Sequence, residues 1–202
     1  KELTASRQID FEQILWHAHT LMRDQVHIAV LLSRVFSHVL VDEYQDTKKI
    51  QYSLVTSILR AGRGQTKAFI VGDPNQAIYG SLGGYAMPVA DFRAQAGIPI
   101  KEMALSRNYR SSERIISYFS NFNVHATSIK SAGKHAAFPS LVTYNQEVAH
   151  SDVHDELVRL IQLSLAAGNS PENICVLGPW WILLASTTRK LVTMLPDQQF
   201  DG

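Results

Sequence analysis

The sequence predicts an α/β fold in which mainly parallel sheets are flanked by helices. Three observations predict it. Two short apolar runs, His38-Val39-Leu40-Val41 and Ala68-Phe69-Ile70-Val71, end abruptly at acids or at a Gly-Asp-Pro turn. Between them lie longer stretches with apolar residues at helical spacing. Strands that alternate with helices favour parallel pairing, because a parallel neighbour is reached only through a crossover connection.

Each element follows from its own residues. Over 9–21, Phe11, Ile14, Leu15, Ala18 and Leu21 recur on one helical face, with Asp10 as the N-cap. A second helix is expected over 25–36. The run 38–41 reads as a buried strand. A helix over 50–59 follows, ended by Ala61-Gly62-Arg63-Gly64. The second buried strand covers 68–71, and Gly80-Ser81-Leu82-Gly83-Gly84 is a glycine-rich loop. A third strand is expected over 100–105. Ser111 or Ser112 caps a helix that runs from Glu113 to about Phe122. The small and polar stretch 123–138 reads as a linker. Strands at 141–144 and 174–177 and helices over 153–166 and 183–195 complete the pattern. The chain is therefore expected to form two domains, 1–122 and 123–202.

Composition sets the outer bounds. With 202 residues, 46% of them hydrophobic, the chain can bury one large core or two small ones. A net charge of +1 neither demands a nucleic-acid partner nor excludes a local basic groove. Cys175 is the only cysteine, so no disulfide forms within the chain, and its apolar neighbours predict a buried thiol in a reducing, cytoplasmic setting. No apolar run approaches the ~18 residues of a membrane span. The polar start Lys1-Glu2-Leu3-Thr4 is no signal peptide, and both ends read as boundaries inside a longer protein.

Three places carry chemistry. Asp42 and Glu43 follow an apolar strand, where open α/β sheets place their ligands. Adjacent acids there point in different directions, so one suits Mg2+ through oxygen coordination and the other suits orienting or deprotonating a water. For a lone acid pair the ordinary role would be to cap the following turn and helix. Gln76 follows the turn Gly72-Asp73-Pro74 on an exposed segment, and its neutral amide can both donate to and accept from a phosphate or a water. Arg110 precedes a capped helix, whose N-terminus favours anions.

In combination these places resemble a known family. Val39-Leu40-Val41-Asp42-Glu43-Tyr44-Gln45-Asp46-Thr47 resembles motif II, the Walker B element, of UvrD/Rep/PcrA-type superfamily 1 DNA helicases. Val71-Gly72-Asp73-Pro74-Asn75-Gln76-Ala77-Ile78-Tyr79-Gly80 is similar to motif III, and Leu105-Ser106-Arg107-Asn108-Tyr109-Arg110-Ser111-Ser112 to motif IV. Asp10-Phe11-Glu12-Gln13 resembles the segment that precedes motif II. The resemblance implies a RecA-like P-loop NTPase fold, with 1–122 as the C-terminal half of the first motor lobe and 123–202 as the start of the second. It implies ATP and Mg2+ as cofactors and single-stranded DNA as partner. It makes Asp42 the Mg2+ residue and Glu43 the catalytic base. Gln76 becomes the γ-phosphate sensor, Tyr109 the adenine-stacking ring, and Arg110 the γ-phosphate contact. Tyr79 faces DNA, and Asn108 braces its loop.

The family's P-loop pattern, Gly-x-x-x-x-Gly-Lys-Ser/Thr, occurs nowhere in the 202 residues. The chain alone is therefore expected to be inactive, as an internal piece of a helicase serving repair or recombination. The rival readings are a non-catalytic helicase-like scaffold and the motor part of a helicase-nuclease. Unpaired strand edges would permit a dimer without physiological meaning. His150 and His154 lack a third ligand, and Trp180-Trp181 is expected to pack in a core or interface.

Overall fold

The computed structural model describes residues 9–200. The chain forms two compact units, the first ending at Leu141 and the second beginning at Val142.

The first unit opens with helix α1 (Phe11–Asp24) and helix α2 (Val26–Val35). Asp10 caps α1 by accepting the Gln13 N–H at 2.7 Å, and Gln13 returns an oxygen to the Asp10 N–H. Strand β1 (His38–Val41), helix α3 (Lys49–Gly62) and strand β2 (Lys67–Ile70) then make a βαβ crossover. The strands run parallel, with His38 opposite Lys67 and Val41 opposite Ile70. Thr66, just before β2, is fully buried and donates its hydroxyl to the Ser33 carbonyl at 2.9 Å, which ties α2 to the sheet.

Side chains alternate across these strands. Val39, Val41, Ala68 and Ile70 turn inward, whereas Leu40 and Phe69 are 73% and 64% exposed. Both strands were expected to be buried; they are half-buried, because no described element covers their second face. On the covered face α3 contributes Tyr52, Val55 and Leu59, and helix α4 (Val89–Ala96) contributes Phe92 and Ala96. Met87 closes this core, and the rings of Tyr52 and Phe92 meet edge to face at 6.0 Å. Helix α4 is a short element that the apolar spacing does not announce. Only Pro88 before it and Gly97 after it, at φ 66, mark its ends.

The segment 100–105 forms no strand, since it finds no ladder partner among the described residues; Met103 and Leu105 stay exposed. The pairing comes slightly later, between β3 (Arg107–Asn108) and β4 (Lys130–Ser131), again parallel. Helix α5 (Glu113–Ser120) lies between them, capped by Ser112. The expected linker 123–138 is therefore not free. It supplies β4, and the Ala136 carbonyl accepts the Glu113 N–H at 3.1 Å. The Ser112 hydroxyl meets that of Ser140 at 2.7 Å, buried. These bonds move the boundary between units from 122 to 141.

In the second unit, helix α6 (Val153–Ala166) has the expected bounds and packs on helix α7 (Trp181–Met194). Ile161, Thr187 and Leu191 are buried there. The expected strands 141–144 and 174–177 do not form. Cys175, expected in a buried strand, is exposed on an unpaired segment. Trp180 and Trp181 are 72% and 81% exposed, so they are not core residues. No helix among the described residues is long and apolar enough to cross a membrane.

Candidate active site

The carboxyl ends of β1 and β2 remain joined one step beyond the strands. The Val71 N–H donates to the Val41 carbonyl at 2.9 Å, and the Tyr44 N–H donates to the Val71 carbonyl at 3.1 Å. Between these bonds the chain must turn sharply. It does so at Glu43, whose φ of 49° and ψ of 48° lie in the left-handed region. A residue with a Cβ costs about 1–2 kcal/mol there. The Asp42 carboxylate accepts the Glu43 N–H at 2.9 Å and steadies the turn. Both acids are exposed.

The next turn of chain, Tyr44–Asp46, is a 3-10 turn that folds Gln45 inward to 2% exposure. Its amide nitrogen donates to the Glu43 carboxylate at 2.7 Å, and its amide oxygen accepts the Asp73 N–H at 3.0 Å. The two contacts fix the amide orientation, because the flipped amide would set oxygen against carboxylate and nitrogen against N–H. Asp73 continues the chain of bonds. One carboxylate oxygen accepts the Asn75 N–H at 2.9 Å, and the other accepts the Gln76 amide at 3.0 Å. Asp42, Glu43 and Gln76 are thus brought to adjacent strand ends. Burial pushes the Tyr44 phenol up, and the carboxylates of Asp73 and Glu102 add to the shift.

Gly72 permits this approach. A Cβ at this position would lie 2.6 Å from Tyr44 Cδ1 and 2.8 Å from the Tyr44 nitrogen. Asn75 anchors the turn from outside, because its side chain exchanges two hydrogen bonds with the His125 backbone, at 3.0 and 2.7 Å.

Arg110 and Tyr109 occupy the loop before α5. The Asn108 side chain accepts the N–H groups of Arg110 and Ser111 at 2.9 and 2.8 Å, so Asn108 does brace the loop. The side chains of Tyr109 and Arg110 are exposed, and no hydrogen bond or ion pair among the described residues joins Arg110 to the strand-end acids. Tyr79 is 49% exposed beside Ile78 and Leu82, at 75% and 67%. The carbonyl of Tyr79 accepts the N–H groups of Leu82 and Gly84, which holds the glycine-rich loop in a tight turn.

The residue-type patterns missed Gln45 and Asp73 as parts of the site. A usable signal for Asp73 was the Asp-Pro-Asn order, which favours a side-chain-capped turn. Gln45 had none, because its burial follows from the turn at Glu43. Among the described residues no group of three His, Cys, Asp or Glu side chains could hold a metal unaided. An exposed carboxylate such as Asp42 fits Mg2+ that arrives with phosphate and water oxygens.

Fold and site together define an α/β protein with a carboxylate pair outside the carboxyl end of a parallel strand, answered by a glutamine on the neighbouring strand end. Comparison with known proteins finds sequences similar to this chain. Residues 1–95, just under half of the chain, match the UvrD/REP helicase N-terminal domain. The chain is 32% identical over 123 residues to the ATP-dependent DNA helicase UvrD1 of Mycobacterium tuberculosis, covering 58% of this chain and 16% of that protein. It is 37% identical over 110 residues to DNA helicase II of Escherichia coli, covering 54% of this chain and 15% of that one. A probable DNA helicase II homolog of Mycoplasma genitalium is 29% identical over 117 residues, or 57% of this chain and 16% of its own length. The resemblance to UvrD/Rep-type helicases read from the motifs is borne out. The chain spans about a sixth of the length of these relatives.

Proposed function

We propose that this chain carries part of the ATP-hydrolysing site of a DNA helicase that couples hydrolysis to movement on single-stranded DNA and to duplex unwinding, in repair or recombination. The observation that carries this reading is the pair Asp42 and Glu43 at the end of β1, linked by hydrogen bonds to the Gln76 turn at the end of β2. In this reading the lobes are RecA-like, and the junction between the two lobe segments follows the unit boundary at Leu141 rather than residue 122. Asp42 would hold Mg2+, which supplies charge neutralisation at the phosphates. Glu43 orients and deprotonates the attacking water, and its left-handed backbone keeps the carboxylate at the turn's tip. Gln76, held by Asp73, faces the terminal phosphate. Tyr109 stacks on the adenine, and Arg110 reaches the γ-phosphate across the loop that Asn108 holds. Tyr79 offers an exposed ring to a nucleobase, a contact that tolerates any sequence.

A phosphate cradle of P-loop type is not among the 202 residues, so the chain alone hydrolyses ATP negligibly in this reading. The test is Glu43→Gln in a protein that contains this segment together with a P-loop. Hydrolysis should fall by roughly 10²–10⁴-fold while nucleotide binding persists. Unchanged turnover in that variant, or robust turnover by the 202-residue chain, would remove the reading.

A further inference from the structure

We propose that Gln45 is a positioning residue that makes the two strand-end turns a single unit. The proposal rests on the reading of Asp42 and Glu43 as the hydrolytic pair. Gln45 is almost completely buried, and its amide nitrogen and oxygen each bond a partner from a different turn: the Glu43 carboxylate at 2.7 Å and the Asp73 backbone N–H at 3.0 Å. A buried glutamine is unfavourable unless its amide is satisfied, and here both satisfying partners belong to the site. Neither partner is held by its strand alone. Glu43 sits in a left-handed turn where, among the described residues, its carboxylate accepts a hydrogen bond from Gln45 alone, and Asp73 lies beyond the last ladder bond, the one from the Tyr44 N–H to the Val71 carbonyl.

The bonds run in series from the Glu43 carboxylate through the Gln45 amide to the Asp73 N–H, and from the Asp73 carboxylate to the Gln76 amide. A displacement of Gln76 by a phosphate oxygen therefore pulls on Asp73 and, through Gln45, on the carboxylate of Glu43. Gly72 keeps the linkage short, since a Cβ there would collide with the Gln45 amide oxygen as well as with Tyr44. The linkage sets the direction of the Glu43 carboxylate without touching the nucleotide.

Two variants separate the bonds. Gln45→Leu removes both. Gln45→Glu keeps an acceptor for the Asp73 N–H but sets a carboxylate against Glu43. Amide hydrogen exchange on the 202-residue chain reads the first bond without any enzyme activity. In Gln45→Leu the Asp73 amide should exchange roughly tenfold faster, the loss expected for one ordinary hydrogen bond, while Leu59 in α3 is unchanged. In Gln45→Glu the Asp73 amide should stay protected. In a P-loop-containing protein that carries the segment, both variants should lower kcat by about 10–100-fold with KM for ATP within twofold. Gln45→Leu should add nothing in a Glu43→Gln background. An unchanged Asp73 amide in Gln45→Leu overturns the proposal, and so does a full kcat in either variant where Glu43→Gln has lost its own. A fall in kcat matched by a fall in melting temperature and an equal rise in KM also overturns it, as the mark of a merely structural residue. Full kcat in Glu43→Gln itself sinks the hydrolytic reading instead, and the exchange result then stands alone.

Discussion

Gly72 shows how a site can depend on an atom that is not there. The turns after β1 and β2 approach so closely that a methyl group at residue 72 would press on both the ring and the backbone nitrogen of Tyr44. That nitrogen cannot retreat without stretching its bond to the Val71 carbonyl. Gly72→Ala should therefore destabilise the chain by about 1–3 kcal/mol, the usual penalty of overpacking. Gly80→Ala is the control, because nothing lies within 4 Å of its would-be Cβ; it should change stability by less than about 0.5 kcal/mol. Urea unfolding of both variants decides the matter, and equal midpoints would mean that the turns do not meet so tightly. At this scale the sequence exposed what is charged or punctuating. Asp42 and Glu43 stood out as acids after an apolar run, and Asp10 and Ser112 stood out as residues that cap. Gln45 did not, because a glutamine becomes structural only when a turn aims it inward. Cys175 misled for the converse reason, since apolar neighbours in sequence do not bury a segment that has no strand to pair with.

Elements were legible where the signal is local. Helix α6 and strand β1 have the bounds that their residues predict, because spacing and punctuation define them. The runs 100–105, 141–144 and 174–177 have the composition of strands but not the partners, and a ladder is a property of two segments. Helix α3 shows what packing adds to spacing. Its Tyr52 is 1% exposed and donates its hydroxyl to the Tyr44 carbonyl, so it links the core directly to the turn that carries Glu43. Burial raises the Tyr52 phenol above its ordinary value of 10.0, and burial likewise raises that of Tyr44. The sign of the consequence follows. Above about pH 10 the unfolded chain loses these protons first, so stability is full below that pH and falls as pH rises through the folded values. Tyr52→Phe should cost about 0.5–1.5 kcal/mol at pH 7, because the Tyr44 carbonyl loses one of two donors and keeps the Thr47 N–H, and should flatten the alkaline loss. Urea unfolding across pH 7–11 compares the two slopes. Parallel slopes for the two proteins would show that Tyr52 takes no part in the alkaline loss.

For the whole molecule, the sequence located the change from one unit to the next only approximately, and the reason is physical. Residues 123–138 are small and polar, as a linker is, but small polar residues also make compact backbone contacts. Besides the local bond from Asn123 to Ser120, seven hydrogen bonds among the described residues hold the stretch beyond residue 122 on the first unit: Lys130 to Ser106, Ala132 to Asn108, Glu113 to Ala136, Ser112 to Ser140, Ser131 to Ser111, and the two between Asn75 and His125. Several of them grip the loop of Tyr109 and Arg110 or the turn of Gln76, so the stretch supports the candidate site as well as the fold. A chain ended at Leu141 should keep all seven, and its thermal unfolding should stay cooperative. A chain ended at Phe122 loses all seven and leaves β3 without a partner. At about 0.5–1.5 kcal/mol net for each bond, the deficit is several kcal/mol, a large share of a small domain's stability. The shorter chain should therefore melt well below the longer one, with the amides of Arg110 and Ser111 exchanging faster as Asn108 loosens. Equal melting temperatures for the two chains would return the boundary to residue 122 and make the stretch a tether after all.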